Sequence, residues 1–209
     1  MNNKGNLGIA TVILILSFIL IAATAASVIT RTSSQNNLTQ QDVNQMVNEA
    51  VDEISTYIQV KDMIGKYTKN NNNQEIHQVA LLLKPFFTID LDVSTLTVKL
   101  DNGEQIQILR YSQKAEYIGS QSLFEHNIWE ETPENTFSLL VLQDTDNSMV
   151  QYGTINENTD MAYLLISLSE DFALKSGETL TVTLFPSTGI TRTLTLTAPL
   201  PMHSVISFE

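Results

Sequence analysis

The chain begins with a long apolar run that covers residues 7–29. No charged side chain lies between Lys4 and Arg31. A helix over this run would be roughly 35 Å long, because each helical residue adds about 1.5 Å. The hydrocarbon core of a bilayer is about 30 Å thick, so the pattern predicts a helix with a membrane phase.

A helical pattern continues beyond this run. Apolar positions follow one another in alternating steps of four and three residues and form one stripe: Val43, Val47, Ala50, Ile54 and Tyr57, widened by Met46, Val51 and Ile58. The polar residues 30–39 permit a break or an irregular turn. We therefore predict a helix or helix pair from about residue 7 to residue 64, with Gly65 as its C-terminal stop.

The hydrophobic period changes from 3.6 to 2 after the polar residues 69–74. Residues 96–100 and 105–111 alternate on either side of residues 101–104, where Asn-Gly suits the positive φ values of a tight hairpin. Further strands are predicted over residues 79–83, 136–142, 161–168, 180–185, 191–197 and 205–208, with turns over residues 144–148, 176–177 and 186–189.

These strands are short, and no helical pattern separates them, which favours an antiparallel β-sandwich of immunoglobulin-like type. The predicted fold class is α+β: a long N-terminal hydrophobic α-helix followed by this sandwich, which we call the head. The runs TLTVTLFP and TRTLTLT place threonine at alternate positions of two strands. The pattern alone does not separate a solvent-facing from a subunit-facing threonine surface.

The balance of charge narrows the class of partner. The chain has 23 Asp and Glu against 11 Lys and Arg, a formal net charge of −12, and its basic residues form no dense patch. Phosphates are held by clustered Lys and Arg, so we expect no nucleic-acid partner. Cysteine is absent, which excludes a disulfide framework and a thiolate metal site.

Motifs for catalysis are missing from the sequence. His77, His126 and His203 are far apart and lack ligand spacing, so each is expected at the surface or at a strand end. The chain has no Gly-rich phosphate loop and no GxSxG elbow, and Glu130-Glu131 is expected to be solvated. We predict a protein that is not an enzyme and requires no cofactor.

Two short motifs have a candidate chemical role. Asn37-Leu38-Thr39 is the only N-x-S/T sequon, which makes Asn37 a candidate for glycosylation. The segment DTDNS contains Asp144, Asp146 and Asn147, whose side-chain oxygens have the spacing of a turn that holds Ca²⁺. An acidic β-turn without a metal gives the same letters, because Asp and Asn are favoured in turns.

Three kinds of N-terminal segment fit the apolar run. It could be a secretory signal cut at the A-x-A motif Ala23-Thr24-Ala25, an anchor that stays in the bilayer, or a type IV pilin-like segment in which residues 1–5 are removed and the run is kept. The helical pattern that continues past residue 42 favours the third, because a helix in a filament core needs apolar neighbours along its length.

The residues in these segments resemble one family. Lys4-Gly5 followed by Asn6-Leu7-Gly8-Ile9, the run IAATAASVI, the hairpin PFFTIDLDVSTLTVKLDNGE and the closing LKSGETLTVTLFPSTGITRTLTLTAPLP are similar to archaellins, the subunits of archaeal motility filaments. The similarity spans nearly the whole chain. Bacterial type IV pilins have glutamate where this chain has Ala10, which also favours the archaellin family.

The resemblance implies a route of maturation and assembly. A prepilin-type peptidase would cut between Gly5 and Asn6, with Lys4 and Gly8 as recognition features. This gives a leader over residues 1–5, a filament-core helix over residues 6–66 and a β-sandwich head over residues 75–209. A membrane assembly platform with its ATPase would then move the membrane-inserted subunit into an extracellular filament, a helical polymer of this chain, with or without sister archaellins.

The apolar positions expected in the filament core are Leu7, Ile9, Val12, Ile13, Leu16, Phe18, Ile19, Leu20 and Val28. Outside the bilayer their surface would be covered by the same helix of neighbouring subunits. Two alternatives share the helix: an archaeal adhesion pilin that does not rotate, and a membrane-tethered binding module that does not polymerise.

Overall fold

The computed structural model describes residues 46–47, 57–70, 73–88, 90–187, 189–200 and 204–208. The chain divides into two compact units, Met1–Ala50 and Val51–Glu209. In the first unit Met46 and Val47 are helical and exposed, and the other residues predicted as helix before Tyr57 lie outside the described ranges. Within the described ranges, no helix combines the length and the apolar character needed to cross a bilayer.

The first strand corrects the predicted end of the N-terminal helix. Residues Ile58–Asn70 form β1, which pairs antiparallel with β2 (Asn73–Pro85) from Ile58↔Pro85 to Asn70↔Asn73. The expected helix stop Gly65 lies inside β1, opposite Val79. Residues 58–66 are therefore strand, and the described residues of the polar segment predicted to divide helix from head, 69–70 and 73–74, belong to β1 and β2.

An irregularity explains why β1 did not show a regular strand period. The register shifts between Val60 and Asp62, where the extra residue lies in β1, and again between Lys66 and Tyr67, where the extra residue lies in β2. The first shift moves the following side chains of β1 to the other face, so its alternation of side chains is interrupted once. The apolar residues that remain then resemble a helical stripe.

β2 contains the strand predicted over residues 79–83, and the other strands include the rest of those predicted from the pattern. They are β3 (Leu91–Asp92), β4 (Thr97–Asp101), β5 (Ile106–Tyr117), β6 (Thr136–Gln143), β7 (Thr154–Ile155), β8 (Met161–Ser167), β9 (Leu174–Lys175), β10 (Thr179–Phe185), β11 (Arg192–Thr197) and β12 (Val205–Ser207). The two-residue strands β3, β7 and β9 were not predicted. Short helices are α1 (Ile128–Glu131), α2 (Ser148–Tyr152) and the 3₁₀ turns Val93–Thr95, Leu123–Glu125 and Glu170–Phe172.

The predicted β4–β5 hairpin is confirmed, with a small difference in its turn. Asn102 N–H donates to the carbonyl of Gln105 at 3.3 Å, so residues 102–105 form the loop. Gly103 has φ +88°, whereas Asn102 stays outside the left-handed region. The Asn102 side-chain oxygen accepts from Glu104 and Gln105 N–H, which fixes the loop without a second positive φ.

Ten strands form one sheet in the order β11-β10-β4-β5-β6-β8-β2-β1-β12, with β9 on β2, and β3 pairs with β7. The pairs are antiparallel with one exception, because β5 and β6 run parallel. This corrects the purely antiparallel arrangement that we predicted. Parallel neighbours require a crossover, and residues 118–135, which contain α1, provide it.

The sheet curls so that strands from distant parts of its order share one core. A single buried cluster includes Leu180 of β10 and Leu196 of β11 together with Leu81 of β2 and Ile166 of β8. Phe137, which is fully buried, lies in the same cluster beside Tyr111, with ring centroids 5.7 Å apart. The described head is therefore mostly β-structure around one apolar core, consistent with a sandwich.

A second, smaller core lies on the other face of β2, β6 and β8. Ala80, Leu140 and Leu165 pack there against Ile128 and Trp129 of α1. Trp129 Nε1 donates to the carbonyl of Leu123 at 2.7 Å, so the indole is fixed as it is buried. Both faces of β6 are thus covered, which explains why residues 137–141 are apolar or buried without alternation.

Candidate functional site

The segment DTDNS forms the turn that the sequence predicted, between β6 and α2; we call residues 144–148 the acidic turn. Both oxygens of the Asp144 carboxylate accept backbone N–H groups, from Ser148 at 3.2 Å and Met149 at 3.0 Å. Asp146 Oδ1 also accepts from Ser148 N–H, at 3.0 Å. Asn147 has φ +62°, a left-handed conformation that Asn tolerates.

A second loop, residues 156–160, faces the acidic turn. Asn156 Nδ2 donates to Asp146 Oδ2 at 2.6 Å, and Asn156 Oδ1 accepts from the Ser148 hydroxyl at 3.0 Å. Asp160 Oδ2 accepts the backbone N–H groups of Asn156 at 3.0 Å and Glu157 at 2.9 Å. These contacts join two loops that are separate in the sequence.

Asp160 has one carboxylate oxygen without a partner. The residue is 1% exposed, and its Oδ1 makes no hydrogen bond among the described residues. The charge of Asp160 also raises the pKa of Asp144 and of Tyr117, after the larger effect of burial on both groups. A buried carboxylate oxygen beside a cluster of oxygen ligands is the kind of group that a cation satisfies.

Tyr117, at the end of β5, completes this cluster. Its hydroxyl donates to Asn147 Oδ1 at 2.7 Å and lies 3.4 Å from Asp144 Oδ2. Tyr117, Asn156 and Asp160 were not predicted as site residues. Residues 156–160 have the composition of an acidic turn, which is a local sequence signal, whereas no local signal marks Tyr117.

The carboxylates of the acidic turn are not equivalent. The pKa of Asp146 is lowered to about 2, first because Asn156 donates to it and then because Ser148 N–H does. Burial raises the pKa of Asp144. Among the described residues, no three His, Asp or Glu side chains converge closely enough to hold a metal by themselves. A cation here would also need amide, hydroxyl, carbonyl or water oxygens.

The histidines differ from what we expected at one position. His126 is buried, and its Nδ1 accepts the N–H of Ile128 at 3.2 Å while Nε2 lies 3.3 Å from the carbonyl of Tyr117. It therefore fixes the chain that enters α1 and is not a surface residue. His77 is partly exposed beside Glu75, and His203 lies outside the described residues.

The remaining predicted sites lie outside the described residues. They are the leader positions Lys4, Gly5, Asn6 and Gly8, the glycosylation candidate Asn37, and the filament-core positions Leu7, Ile9, Val12, Ile13, Leu16, Phe18, Ile19, Leu20 and Val28. The roles assigned to them stay predictions.

Comparison with known proteins supports the resemblance to archaellins. A family model described as archaeal-type flagellin matches residues 5–196. Flagellin B3 of Methanocaldococcus jannaschii is 30% identical over 178 residues, covering 82% of this chain and 79% of that protein. Flagellin A1 of Haloferax volcanii is 26% identical over 168 residues, covering 80% and 74%. The chain belongs to the archaeal-type flagellin family.

Solved structures show the same fold at lower sequence identity. The crystal structure of archaeal flagellin FlaB1 from Methanocaldococcus jannaschii has a TM-score of 0.63 and 20% identity, covering 72% of this chain and 95% of that chain. The archaeal flagellum of Methanospirillum hungatei strain JF1 has a TM-score of 0.50 and 12% identity, covering 92% and 93%. The β-rich head therefore has the fold of a known archaeal flagellin.

Proposed function

We propose that the chain is a structural subunit of the archaeal motility filament and has no catalytic role. The observation that carries this function is the extent of the family match, which covers residues 5–196 and so includes both the apolar run and most of the head. The structure of the archaeal flagellum of Methanospirillum hungatei supports this function, because the chain in that structure has a similar fold. The immunoglobulin-like assignment of the head is part of this proposal.

The proposed mechanism of assembly is an exchange of the surroundings of one apolar helix. Lipid covers residues 7–29 before assembly, and the same residues of neighbouring subunits cover them in the extracellular filament. Burial contributes about 25 cal/mol per Å² of apolar area, so a helix of this size gains on the order of tens of kcal/mol before entropy costs are subtracted. A contact that does not close on itself then propagates as a helical filament.

Processing of the N-terminus gives the first test. We expect mass spectrometry of subunits from sheared filaments to find a chain that begins at Asn6, because a prepilin-type peptidase would cut after Gly5. A chain that begins at Ala26 would indicate a secretory signal, and one that begins at Met1 would indicate an uncut anchor. Either of these results contradicts the proposed maturation by the peptidase and the assembly platform with its ATPase.

Deletion of the gene separates the filament from its alternatives. Loss of swimming together with loss of surface filaments is expected for a subunit of the motility filament. An adhesion pilin predicts filament loss with unchanged swimming, and a membrane-tethered binding module predicts that no filament contains this chain. Glycosylation of Asn37 stays a prediction, which peptide mass spectrometry of the same filaments can check.

We further propose that the acidic turn binds Ca²⁺. The support is the unpartnered Asp160 Oδ1, together with oxygen atoms of Asp144, Asp146, Asn147 and Asn156 in the two facing loops. An ion at this position would neutralise crowded carboxylates and link the two loops. Burial raises the pKa of Asp144, and the neighbouring Asp146 and Asp160 raise it further, a crowding of carboxylates that a bound cation would relieve.

Calorimetry of purified filaments tests the cation. We expect millimolar Ca²⁺ to raise the melting temperature and a chelator to lower it; a ligand at about 100 times its Kd stabilises by about 2.7 kcal/mol. Asp160→Asn should remove this response, whereas Glu104→Gln, which makes the same charge change at an exposed position, should keep it. An identical melting temperature with Ca²⁺ and with chelator would show that the turn holds no calcium.

The response should also depend on pH. Because the pKa of Asp144 is raised, this carboxylate takes up its proton at a higher pH than an ordinary aspartate, whose pKa is about 3.9. Protonation competes with the cation, so stabilisation by Ca²⁺ is present at pH 7 and declines on acidification before ordinary aspartates titrate. Melting scans with and without Ca²⁺ across this range measure the decline.

A further inference from the structure

The outward side of β4, β5, β10 and β11 forms one surface of unusual composition, which we call the threonine face. The strand registers place Thr183 opposite both Thr193 and Lys99, and Lys99 opposite Ile108. Residues opposite one another point to the same side of a sheet. The alternate positions of these strands, such as Leu180 and Val98, are buried in the main core. The face consists of Thr97, Lys99, Asp101, Ile106, Ile108, Arg110, Thr179, Thr181, Thr183, Phe185, Thr193, Thr195 and Thr197, of which Thr183 is buried beneath its neighbours.

This face has exposed apolar side chains and a positive balance of charge, although the protein is acidic. Ile106 is 62% exposed and Ile108 is 49% exposed, and they are neighbours on β5. Lys99 and Asp101 form an ion pair at 3.2 Å and so neutralise each other. Arg110 is exposed and makes no salt bridge within the described ranges. Interface cores are more apolar than the rest of a protein surface and are enriched in Arg, so Ile106, Ile108 and Arg110 are the residues of this face that an interface would bury.

We propose that the threonine face is a contact surface for a second copy of this chain in the filament. The inference rests on the proposed function, which surrounds each head with copies of itself. Charge complementarity selects the copy as the occupant: the chain has a formal net charge of −12, whereas this face holds the two cations Lys99 and Arg110 against the single carboxylate Asp101. Arg110 is therefore placed to meet an acidic surface of the neighbour.

The charge also sets the type of contact. If two threonine faces met each other about a twofold axis close to Arg110, the unpaired Arg110 side chains would approach one another. Like charges across an interface are unfavourable. We therefore expect the face to bind a different, acidic surface of the next subunit, and such a head-to-tail contact propagates along a filament without closing.

Cysteine labelling tests this surface directly, because the chain contains no cysteine. Ile108→Cys introduces a single thiol on the face, and Tyr152→Cys introduces one at a residue that is 75% exposed on α2. In intact filaments we expect labelling of Ile108→Cys by a maleimide-polyethylene glycol to be about tenfold slower than in dissociated subunits, since interface contacts exclude solvent. Tyr152→Cys provides the rate for an open surface in dissociated subunits.

Equal labelling of Ile108→Cys in filaments and dissociated subunits would overturn the proposal, although the filament function would stand. If Ile108→Cys does not assemble, Thr195→Cys on β11 reports on the same face by the same comparison, and equal labelling there overturns the proposal too. Failure of the unmodified chain to form filaments would instead contradict the proposed function.

A charge reversal gives an independent readout. Arg110→Glu should reduce filament yield by about tenfold or more, because it places a negative charge against an acidic neighbour. A tenfold change corresponds to about 1.4 kcal/mol of contact free energy. Lys175→Glu changes the net charge by the same amount at an exposed position on β9, which is not part of the face, and should assemble at the normal yield. Equal yields from the two variants would show that Arg110 does not face an acidic neighbour and would overturn the charge argument.

Discussion

Leu16→Asp is expected to abolish the filament. Leu16 lies in the middle of the apolar run, where the proposed function buries it first in lipid and then among neighbouring helices. An aspartate at the centre of a membrane helix costs roughly 2.5–3.5 kcal/mol, and an uncompensated charge buried in protein costs several kcal/mol. Each subunit adds this cost again, so no long polymer should form. Electron microscopy of sheared surface fractions measures the loss.

The control for this variant is Leu16→Met, which nearly conserves volume and polarity and should assemble normally. The Leu16→Asp subunit should still contain a folded head, because the substitution lies in the other compact unit of the chain. Protease resistance of the head in cell extracts checks this point. A normal yield of filaments from Leu16→Asp would contradict the assignment of residues 7–29 to the filament core.

The strands that the sequence predicted best are those in which buried apolar side chains recur at alternate positions. β10 was expected over residues 180–185 and is Thr179–Phe185, and β8 was expected over residues 161–168 and is Met161–Ser167. β10 has a regular register with both of its antiparallel neighbours, and β8 has a regular register with β2. Where no bulge interrupts a strand, the alternation of side chains survives in the sequence and can be read directly.

Nonlocal features could not be predicted in this way. The buried run of β6 is explained by the second core, but nothing in residues 137–141 indicates that Trp129 covers them. The parallel pairing of β5 with β6 depends on the path of residues 118–135 around the sheet, which hydrophobic periodicity does not determine. β1 was missed because the register shift between Val60 and Asp62 interrupts its alternation.

The acidic turn shows the same division between local and nonlocal information. Asp144, Asp146 and Asn147 were recognised because their spacing is local and turns favour these residues. Asp160 gains its importance from burial between two loops, and Tyr117 reaches Asn147 only because β5 and β6 are neighbours. Sequence spacing cannot show such contacts.

Substitution of Gly65 is the second change expected to have a large effect, and it distinguishes a glycine that ends a helix from one that makes room for a neighbouring side chain. In β1 a Cβ atom at Gly65 would lie 2.9 Å from Cε2 and Cζ of Phe208 and 3.0 Å from Cγ2 of Ile76. Ile76 is fully buried and cannot move away, whereas Phe208 lies just beyond the short strand β12. The close approach of the Phe208 ring, and not a helix end, is the reason for glycine here.

Gly65→Val is therefore expected to destabilise the head. Overpacking costs about 1–3 kcal/mol, and the higher strand propensity of valine offsets less than about 1 kcal/mol of it. Guanidinium unfolding followed by fluorescence of Trp129, the single tryptophan, measures the change. Gly65→Ala should destabilise less, and in combination with Phe208→Ala its cost should largely disappear, because the ring that it meets is gone. If Gly65 ended a helix, the result would be the opposite. The destabilisation by Gly65→Ala would not depend on Phe208, and the free-energy changes of the two substitutions would be additive.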